Sequence, residues 1–187
     1  MGLLGGSFNP AHGGHRHISL LALRRLRLDE VWWLVSPQNP LKSRAGMQPF
    51  EQRVSAAERI AKHPRIRVTA IEQRLGTTYT AESLKRLSAR YPGTRFVWLM
   101  GADNLIQIPR WRHWPTVFEQ VPVAVFDRPT YSYRALAGEA ACRFAYARLG
   151  EIKAAALAGQ TPPAWIFFWG ARDPSSATAL REKSGGE

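Results

Sequence analysis

Residues 5–15 decide the fold, and their sequence is Gly5-Gly6-Ser7-Phe8-Asn9-Pro10-Ala11-His12-Gly13-Gly14-His15. The apolar residues 1–4 before this stretch predict a first β-strand, and the apolar spacing of residues 18–23 after it predicts a helix. Glycines let a backbone approach a ligand closely, and a helix start offers unpaired N–H groups and a partial positive charge. Two histidines stand at the same opening. The combination indicates a site where a phosphoryl group is bound and reacts.

Strand-like and helix-like segments alternate along the rest of the chain. Compact apolar runs predict strands at residues 30–35, 66–69, 95–100, 121–127 and 165–169. Helices are predicted from about 49 to 63, from 81 to 91 with Thr80 as N-cap, from 114 to 120 and from 176 to 183. The alanine-rich residues 135–157 predict a further helix, interrupted near Gly150. This alternation favours one α/β domain over residues 1–187, with a doubly wound, mostly parallel sheet.

Polar motifs follow three of the predicted strands. They are the glycine turn after the first strand, residues 39–42 after the second, and residues 101–103 after the strand at 95–100. In doubly wound folds, ligands bind beyond the carboxyl ends of the strands. Three polar motifs at that edge therefore predict a single site there.

Composition excludes several classes of protein. The chain has 187 residues, 45% of them hydrophobic, and no apolar run approaches the length of a membrane span. The N-terminal residues lack the pattern of a signal peptide. The single cysteine, Cys142, excludes an intrachain disulfide framework and fits a reducing cytoplasm. We expect this thiol to be buried among apolar side chains.

The net charge of +12 has two interpretations. It predicts a solvated basic surface, because the arginines are scattered rather than gathered in dense or aromatic-interleaved runs. We therefore expect no nucleic-acid partner, although a non-catalytic nucleotide-binding or nucleic-acid-binding protein stays open as an alternative. The scattered arginines include Arg16, Arg24, Arg25, Arg27, Arg65, Arg67, Arg110, Arg112 and Arg134.

The histidine motif, residues 12–15, resembles the signature of the HxGH nucleotidyltransferase superfamily. Four further motifs follow in the order found in the bacterial nicotinate-nucleotide adenylyltransferases, so the chain is similar to that family from about residue 2 to residue 181. These motifs are Asn39-Pro40-Leu41-Lys42, Tyr79-Thr80, Gly101-Ala102-Asp103 and Ser176-Ala177-Thr178-Ala179-Leu180-Arg181.

The resemblance implies a Rossmann-like nucleotidyltransferase fold and a reaction between ATP and nicotinate mononucleotide. The products would be nicotinate adenine dinucleotide, an intermediate of NAD synthesis, and pyrophosphate. The mononucleotide's 5′-phosphate would attack the α-phosphorus directly, without a covalent intermediate, and Mg²⁺ would accompany the triphosphate. The residues agree, because the motifs offer cations and hydrogen-bond donors but no activated protein nucleophile.

The resemblance also implies catalytic roles for two histidines and two distant cations. His12 and His15 would donate to phosphate oxygens, and Lys42 would reach the phosphates from a loop. Arg181 would act with Ser176 and Thr178 in a C-terminal phosphate-binding helical motif at about residues 175–183. We expect His17, outside the motif, to lie on the surface.

Other motif residues would bind the two nucleotides, and no protein ligand to a metal is predicted. The ATP-binding set is Gly5, Gly6, Ser7, Phe8, Gly101 and Asp103, together with Ser176 and Thr178. The mononucleotide would contact Asn39, Thr80 and Trp111, where Trp114 could take the stacking role instead. Asp103 could also, or instead, be the N-cap of a helix at Asn104. The tryptophans expected in the core are Trp32, Trp33, Trp98, Trp165 and Trp169.

Two positions depart from the family pattern, and they leave related activities open. Ala177 stands where the family usually has a serine, so one phosphate-binding hydroxyl is missing. Asn9 stands where an aspartate is frequent, which removes a negative charge near the phosphates. A sister activity on nicotinamide mononucleotide or phosphopantetheine, or with a cytidylyl donor, is the nearest alternative. The sequence does not determine an oligomeric state.

Overall fold

The computed structural model describes residues 1–37, 46–128 and 130–170. The strands are β1 (Gly2–Gly6), β2 (Val31–Val35), β3 (Ile66–Thr69), β4 (Val97–Gly101), β5 (Val123–Phe126), β6 (Arg148–Leu149) and β7 (Trp165–Phe168). The α-helices are α1 (Gly13–Arg25), α2 (Phe50–Ala61), α3 (Ile71–Leu75), α4 (Thr80–Arg90), α5 (Ala102–Gln107), α6 (Pro115–Gln120), α7 (Ser132–Leu136) and α8 (Glu139–Arg143). Short 3₁₀ helices cover Ile108–Arg110, Ala145–Ala147 and Glu151–Gly159. Within the described ranges, no helix is long and apolar enough to cross a membrane.

The strands form one seven-stranded sheet in the order β3-β2-β1-β4-β5-β7-β6, and every neighbouring pair is parallel. The chain builds outward from β1 to β3, then returns to place β4 on the other side of β1. This reversal creates a crevice between the carboxyl ends of β1 and β4, which is where such folds bind ligands. The predicted doubly wound α/β class is confirmed.

Each face of the sheet is covered by helices and has its own apolar core. One core lies under α4 to α8 and contains Trp98 and Trp165, and the other lies under α1 and α2 and contains Trp33. Strands buried on both faces need apolar side chains on both sides, which is why β2, β4, β5 and β7 are almost wholly apolar.

The helix expected at residues 135–157 is interrupted at Gly150, as predicted, but the part before Gly150 is not one helix. The segment divides into α7, α8, the short strand β6 and two 3₁₀ helices. Gly138 breaks the helix with an extended backbone, and a Cβ there would lie 3.2 Å from the carbonyl oxygen of Ala135. Gly150 is likewise extended just before the second 3₁₀ helix. The alanines therefore serve close packing of short pieces, not one continuous helix.

Several local expectations also need correction. Thr80 is the first residue of α4, and Tyr79 is the N-cap, because the N–H groups of residues 82 and 83 both bond to the Tyr79 carbonyl. The Cys142 thiol is exposed, whereas Ala140 and Ala141 of the same helix are buried in the core. Trp169 is 44% exposed because it stands just past the end of β7. Trp32 is only partly buried, although it packs against the core under α4 to α8. The helix expected at 176–183 lies outside the described residues.

Candidate active site

The histidine motif closes the turn between β1 and α1. His12 is the N-cap of α1, and its Nδ1 accepts a hydrogen bond from the Gly14 N–H at 3.1 Å. The Nδ1 of His15 accepts in turn from the His12 N–H at 3.2 Å, so the two side chains form a capping box. The ring centroids are 3.9 Å apart. The structure thus brings both predicted catalytic histidines together at the helix start.

These bonds determine which ring nitrogen carries the proton. A neutral imidazole has one donor and one acceptor nitrogen, so an accepting Nδ1 assigns the proton to Nε2 in both His12 and His15. The first turn of α1 contains no acidic residue, which leaves the positive end of the helix dipole uncompensated there. Two donor nitrogens and a helix N-terminus suit an anion.

A buried aromatic pair supports the loop that leads to these histidines. The Phe8 ring is 2% exposed and stacks on Trp33 with centroids 5.0 Å apart, and it contacts the His15 ring at 4.7 Å. Phe8 has a φ of 47°, an unfavourable conformation that the burial of its ring offsets. The Trp33 indole donates to Ser19, which donates to the His15 carbonyl at 2.8 Å. Packing thereby fixes the first turn of α1.

The two glycines before the loop differ in how much room their surroundings leave for a side chain. A Cβ on Gly5 would lie 2.3 Å from the ring of Trp98, so that position excludes any side chain. A Cβ on Gly6 would lie 3.5 Å from the Phe8 ring, which is an ordinary contact. Ser7 follows and is 5% exposed. All four predicted ATP-binding residues of this motif therefore lie at the carboxyl end of β1.

The motif after β4 lies beside them, because β4 pairs with β1. Gly101 is the N-cap of α5, and Asp103 stands in the first turn of that helix, which corrects the N-cap alternative. A Cβ on Gly101 would lie 2.5 Å from Asp103 Oδ1, so the glycine makes room for the carboxylate. Asp103 Oδ2 accepts from Arg128 at 2.5 Å, whereas Oδ1 is buried and has no hydrogen-bond partner among the described residues. Sequence reasoning missed Arg128, although charged residues directly after the strand at 121–127 were a signal.

The expected mononucleotide residues Thr80 and Trp111 each lie next to a residue of one contacting pair, Tyr79 and Arg112. The Arg112 guanidinium stacks 4.9 Å from the centroid of the Tyr79 ring, which joins the start of α4 to the segment after the 3₁₀ helix. Trp111 is partly exposed and meets Trp98 edge to face. Trp114 is 8% exposed and packs against Phe118 and Phe144. Burial therefore favours Trp111 over Trp114 for stacking.

A buried acid links α3 to the start of α4, and sequence reasoning missed it. Glu72 is 5% exposed, and its Oε1 accepts from the Ser83 hydroxyl at 2.7 Å. The Thr77 and Ser83 hydroxyls are 2.8 Å apart, and the Thr77 N–H donates to the Glu72 carbonyl. Burial raises the pKa of Glu72 to about 7, against the lowering effect of the Ser83 hydrogen bond. A glutamate on a short helix carries no sequence signal for such burial.

Five predicted site residues lie outside the described residues: Asn39, Lys42, Ser176, Thr178 and Arg181. The chain just before residue 171 is held at the same sheet edge. Gly170 N–H donates to Asp127 Oδ2 at 3.1 Å, and the Trp169 N–H donates to Glu151 at 2.9 Å. His17 is partly exposed on α1. In the described part of the chain, no cluster of three His, Cys, Asp or Glu side chains could hold a metal ion.

Known proteins resemble this chain over almost its whole length. It matches the cytidylyltransferase-like family over residues 3–183. It is 52% identical to a probable nicotinate-nucleotide adenylyltransferase of Parvibaculum lavamentivorans, over 99% of this chain and 92% of the relative. It is 55% identical to a probable nicotinate-nucleotide adenylyltransferase of Cereibacter sphaeroides, over 97% of this chain and 96% of that relative. Its fold is similar to a Plasmodium falciparum nicotinic acid mononucleotide adenylyltransferase solved with NaAD (TM-score 0.70, 16% identity, 97% of this chain and 82% of that one).

Proposed function

Because the chain belongs to the nicotinate-nucleotide adenylyltransferase family, we propose that it transfers the adenylyl group of ATP to nicotinate mononucleotide. The products are nicotinate adenine dinucleotide and pyrophosphate, a step of NAD biosynthesis. The observation that carries the proposal is the pair of imidazoles at the N-terminus of α1, in the crevice beyond β1 and β4. The single cysteine supports a cytoplasmic location.

The substrate supplies its own nucleophile in this reaction. An oxygen of the mononucleotide 5′-phosphate forms a bond to the α-phosphorus of ATP, and the bond from that phosphorus to the bridging oxygen breaks. The electron pair leaves with pyrophosphate. Since a phosphate monoester is already anionic, no general base is needed. The protein's task is to align the two phosphates and to stabilise charge on the transferring group.

The histidine motif is suited to that task. His12 and His15 carry protons on Nε2 and donate to phosphate oxygens, with His15 assigned to the reacting α-phosphate. The N–H groups at the start of α1 add to the positive potential. Gly5, Gly6, Ser7 and Phe8 contribute main-chain groups at the same sheet edge. Lys42 and Arg181, assigned from their motifs, supply the cations, and Ser176 and Thr178 supply hydroxyl donors.

The adenosine and nicotinate ends bind on either side of this centre. Asp103 accepts from nucleotide hydroxyl or amino groups, and the ion pair with Arg128 sets the orientation of its carboxylate. Trp111 stacks on the pyridine ring. Thr80 bonds to the nicotinate carboxylate at the N-terminus of α4, and Asn39 contacts the same substrate. The Arg112 guanidinium near Tyr79 favours an acid over an amide at that end.

ATP enters as its magnesium complex in this proposal. In this proposal the triphosphate of ATP carries the ion. The bound ion neutralises charge on the triphosphate. The protein's own contribution stays with its histidines, cations and helix N-terminus.

A substrate competition tests the assigned reaction. With ATP and Mg²⁺, the purified protein is expected to use nicotinate mononucleotide with a higher kcat/KM than nicotinamide mononucleotide. Release of pyrophosphate measures turnover for both substrates. Equal efficiency, or a preference for the amide, would reject the nicotinate assignment.

The same assay tests the histidine role. His15→Ala is expected to lower kcat by at least about 10²-fold, because it removes a donor to the transferring phosphoryl group. His17→Ala is the matched control, since His17 lies on the same helix but outside the motif and should keep the wild-type rate. If both variants keep that rate, His15 has no catalytic role.

A further inference from the structure

One arginine outside all the motifs is almost completely buried at the edge of the sheet where the site lies. Arg53 stands in the first turn of α2 and is 1% exposed. Its Nη1 donates to the carbonyl oxygens of Ser7 at 2.6 Å and Ser36 at 2.8 Å. Its Nη2 donates to Pro37 at 3.0 Å, and its Nε donates to Gln48 at 3.1 Å. These bonds use four of the five guanidinium protons.

The four acceptors belong to the two loops that carry the phosphate motifs. Ser7 lies in the turn between β1 and His12. Ser36 and Pro37 follow β2, and Gln48 precedes α2, so they flank the segment that contains Asn39 and Lys42. A single side chain therefore joins the glycine turn to the described main chain on both sides of residues 38–45. Only a planar fork with several donors can hold three separate stretches of main chain at once.

A second side chain makes an independent connection between the same two loops. The Asn9 amide donates from Nδ2 to the Gly46 carbonyl at 3.0 Å, and its Oδ1 accepts from the Gln48 N–H at 3.2 Å. Asn9 is 8% exposed. The main chain at Gly46 and Gln48 is thus bonded to the histidine loop by Asn9, and Gln48 is also bonded to Arg53.

We propose that Arg53 is a positioning residue for adenylyl transfer, which sets the distance between the histidine loop and the main chain at Ser36, Pro37 and Gln48. This inference rests on the proposed function, because it assigns the two loops to two reacting phosphates. Arg53 is buried behind the loops and bonds to carbonyl groups, so it acts through the main chain. Arg53 therefore affects the alignment of the two reacting phosphates.

Alignment and binding respond differently to its loss. Each substrate keeps the side chains that bind it, so the KM values change little. The attacking oxygen and the α-phosphorus lose their mutual placement, and a misplacement of about 1 Å costs about 10²-fold in rate. A fall in kcat with nearly constant KM is the signature of an interaction needed in the transition state.

The kinetic test compares two Arg53 variants with wild type. Arg53→Lys keeps the charge but not the planar fork, and Arg53→Ala removes both. For Arg53→Ala we expect kcat to fall at least about 10²-fold while both KM values stay within about threefold. The kcat of Arg53→Lys should fall by at least about tenfold, because one ammonium group cannot reach all four carbonyl groups. Activity is expressed per folded molecule, measured by circular dichroism in the assay buffer.

Chemical rescue separates positioning from general stability. Guanidinium chloride at low millimolar concentration should raise the kcat of Arg53→Ala at least about tenfold. Ammonium chloride should not, because only the planar guanidinium ion can replace the missing side-chain group. Arg65→Ala is the matched control. Arg65 also donates to a main-chain carbonyl, that of Leu28 at 3.4 Å, but at the opposite edge of the sheet. It should keep the wild-type kcat.

A protease measurement tests the connection without any turnover. Trypsin can cleave after Lys42 and Arg44, between the two ends that Arg53 holds. Both Arg53 variants should be cleaved there at least about fivefold faster than wild type, because the main chain at Pro37 and Gln48 loses its bonds to Arg53. The rate of cleavage after Lys62, at the opposite edge of the sheet, should not change.

The outcomes separate the two proposals. If wild type does not transfer an adenylyl group, the proposed function fails, and the protease result still decides whether Arg53 holds the segment. The positioning role is overturned if Arg53→Lys keeps kcat within about threefold of wild type, or if the loss of activity equals the loss of folded protein. It is also overturned if trypsin cleaves both variants at the wild-type rate. Should Arg53→Ala not fold, Arg53→Lys decides the matter alone.

Discussion

Replacing the buried acid Glu72 with glutamine should make the protein less sensitive to alkaline pH. Glu72 is 5% exposed and accepts a hydrogen bond from Ser83. Its pKa lies at about 7 because burial disfavours the charged form more than that bond favours it. A glutamine has nearly the same shape, still accepts from Ser83, and has no proton to lose.

The sign follows from counting protons. Between pH 4.5 and about 7, the folded protein keeps a proton on Glu72 that the unfolded chain has released. The unfolded state binds fewer protons there, so the free energy of unfolding falls as the pH rises through this range. Above about pH 7 this loss of unfolding free energy is complete, and below pH 4.5 it is absent. A raised acid pKa therefore costs stability on the alkaline side.

The magnitude follows from the size of the pKa change. An increase from 4.5 to about 7 corresponds to about 3 kcal/mol, at about 1.4 kcal/mol for each pH unit. From pH 4.5 to pH 8, the stability of Glu72→Gln relative to wild type should therefore rise by up to about 3 kcal/mol. In a chain of this length that is roughly 6–12 °C in the difference between the two melting temperatures.

Urea unfolding at pH 4.5, 5.5, 6.5, 7.5 and 8 measures this difference directly. The comparison with wild type cancels every other titrating group that the two proteins share. Glu119→Gln, at an exposed position on α6, is the matched control for the loss of one carboxylate. The reasoning would be refuted if the difference in unfolding free energy between Glu72→Gln and wild type stayed constant across the series. It would also be refuted if wild type became more stable relative to the variant as the pH rises.

Two further substitutions test the packing of the first loop. Gly5→Ala should lower stability by about 1–3 kcal/mol, because its Cβ would lie 2.3 Å from the buried Trp98 ring, whereas Gly6→Ala, 3.5 Å from Phe8, should cost less than about 0.5 kcal/mol. Equal melting temperatures for the two variants would contradict this account. Asn9→Asp should lower stability by about 1–3 kcal/mol at neutral pH, since a carboxylate cannot donate to the Gly46 carbonyl. The deficit should shrink near pH 4, where a protonated acid can donate again, and a deficit that does not change with pH would contradict the bond.

The parts of the fold that repeat a physical pattern were predictable from the sequence. Strands buried on both faces are apolar runs, so β2, β3, β5 and β7 lie within about two residues of the predicted bounds. The glycine–histidine turn was predictable because its spacing must place a helix start directly after a strand. The short elements α3 and α7 were not, since five residues contain too little periodicity to distinguish a helix from a loop.

The residues that hold the candidate site together left no comparable sign. Arg53 is one of 26 lysines and arginines, and most of the sequence around it is an ordinary amphipathic helix. Its burial depends on where three separate loops end, which is a property of the tertiary structure. Arg128 and Glu72 are similar cases: each acquires its role from a partner on another element. Motif spacing predicts side chains that face a ligand, but not those that face the main chain behind it.

The electrostatics of these hidden residues serve the same end as the motifs. A site for two phosphorylated substrates needs a positive potential, which uncompensated carboxylates near it would weaken. Asp103 is paired with Arg128, and Glu72 has a pKa high enough to stay largely uncharged below neutral pH. Arg53 donates its hydrogen bonds to main-chain carbonyl groups, so its burial needs no carboxylate partner. The burial of these three residues therefore adds little negative charge at the sheet edge where the phosphates would bind, so that edge can be both rigid and attractive to polyanions.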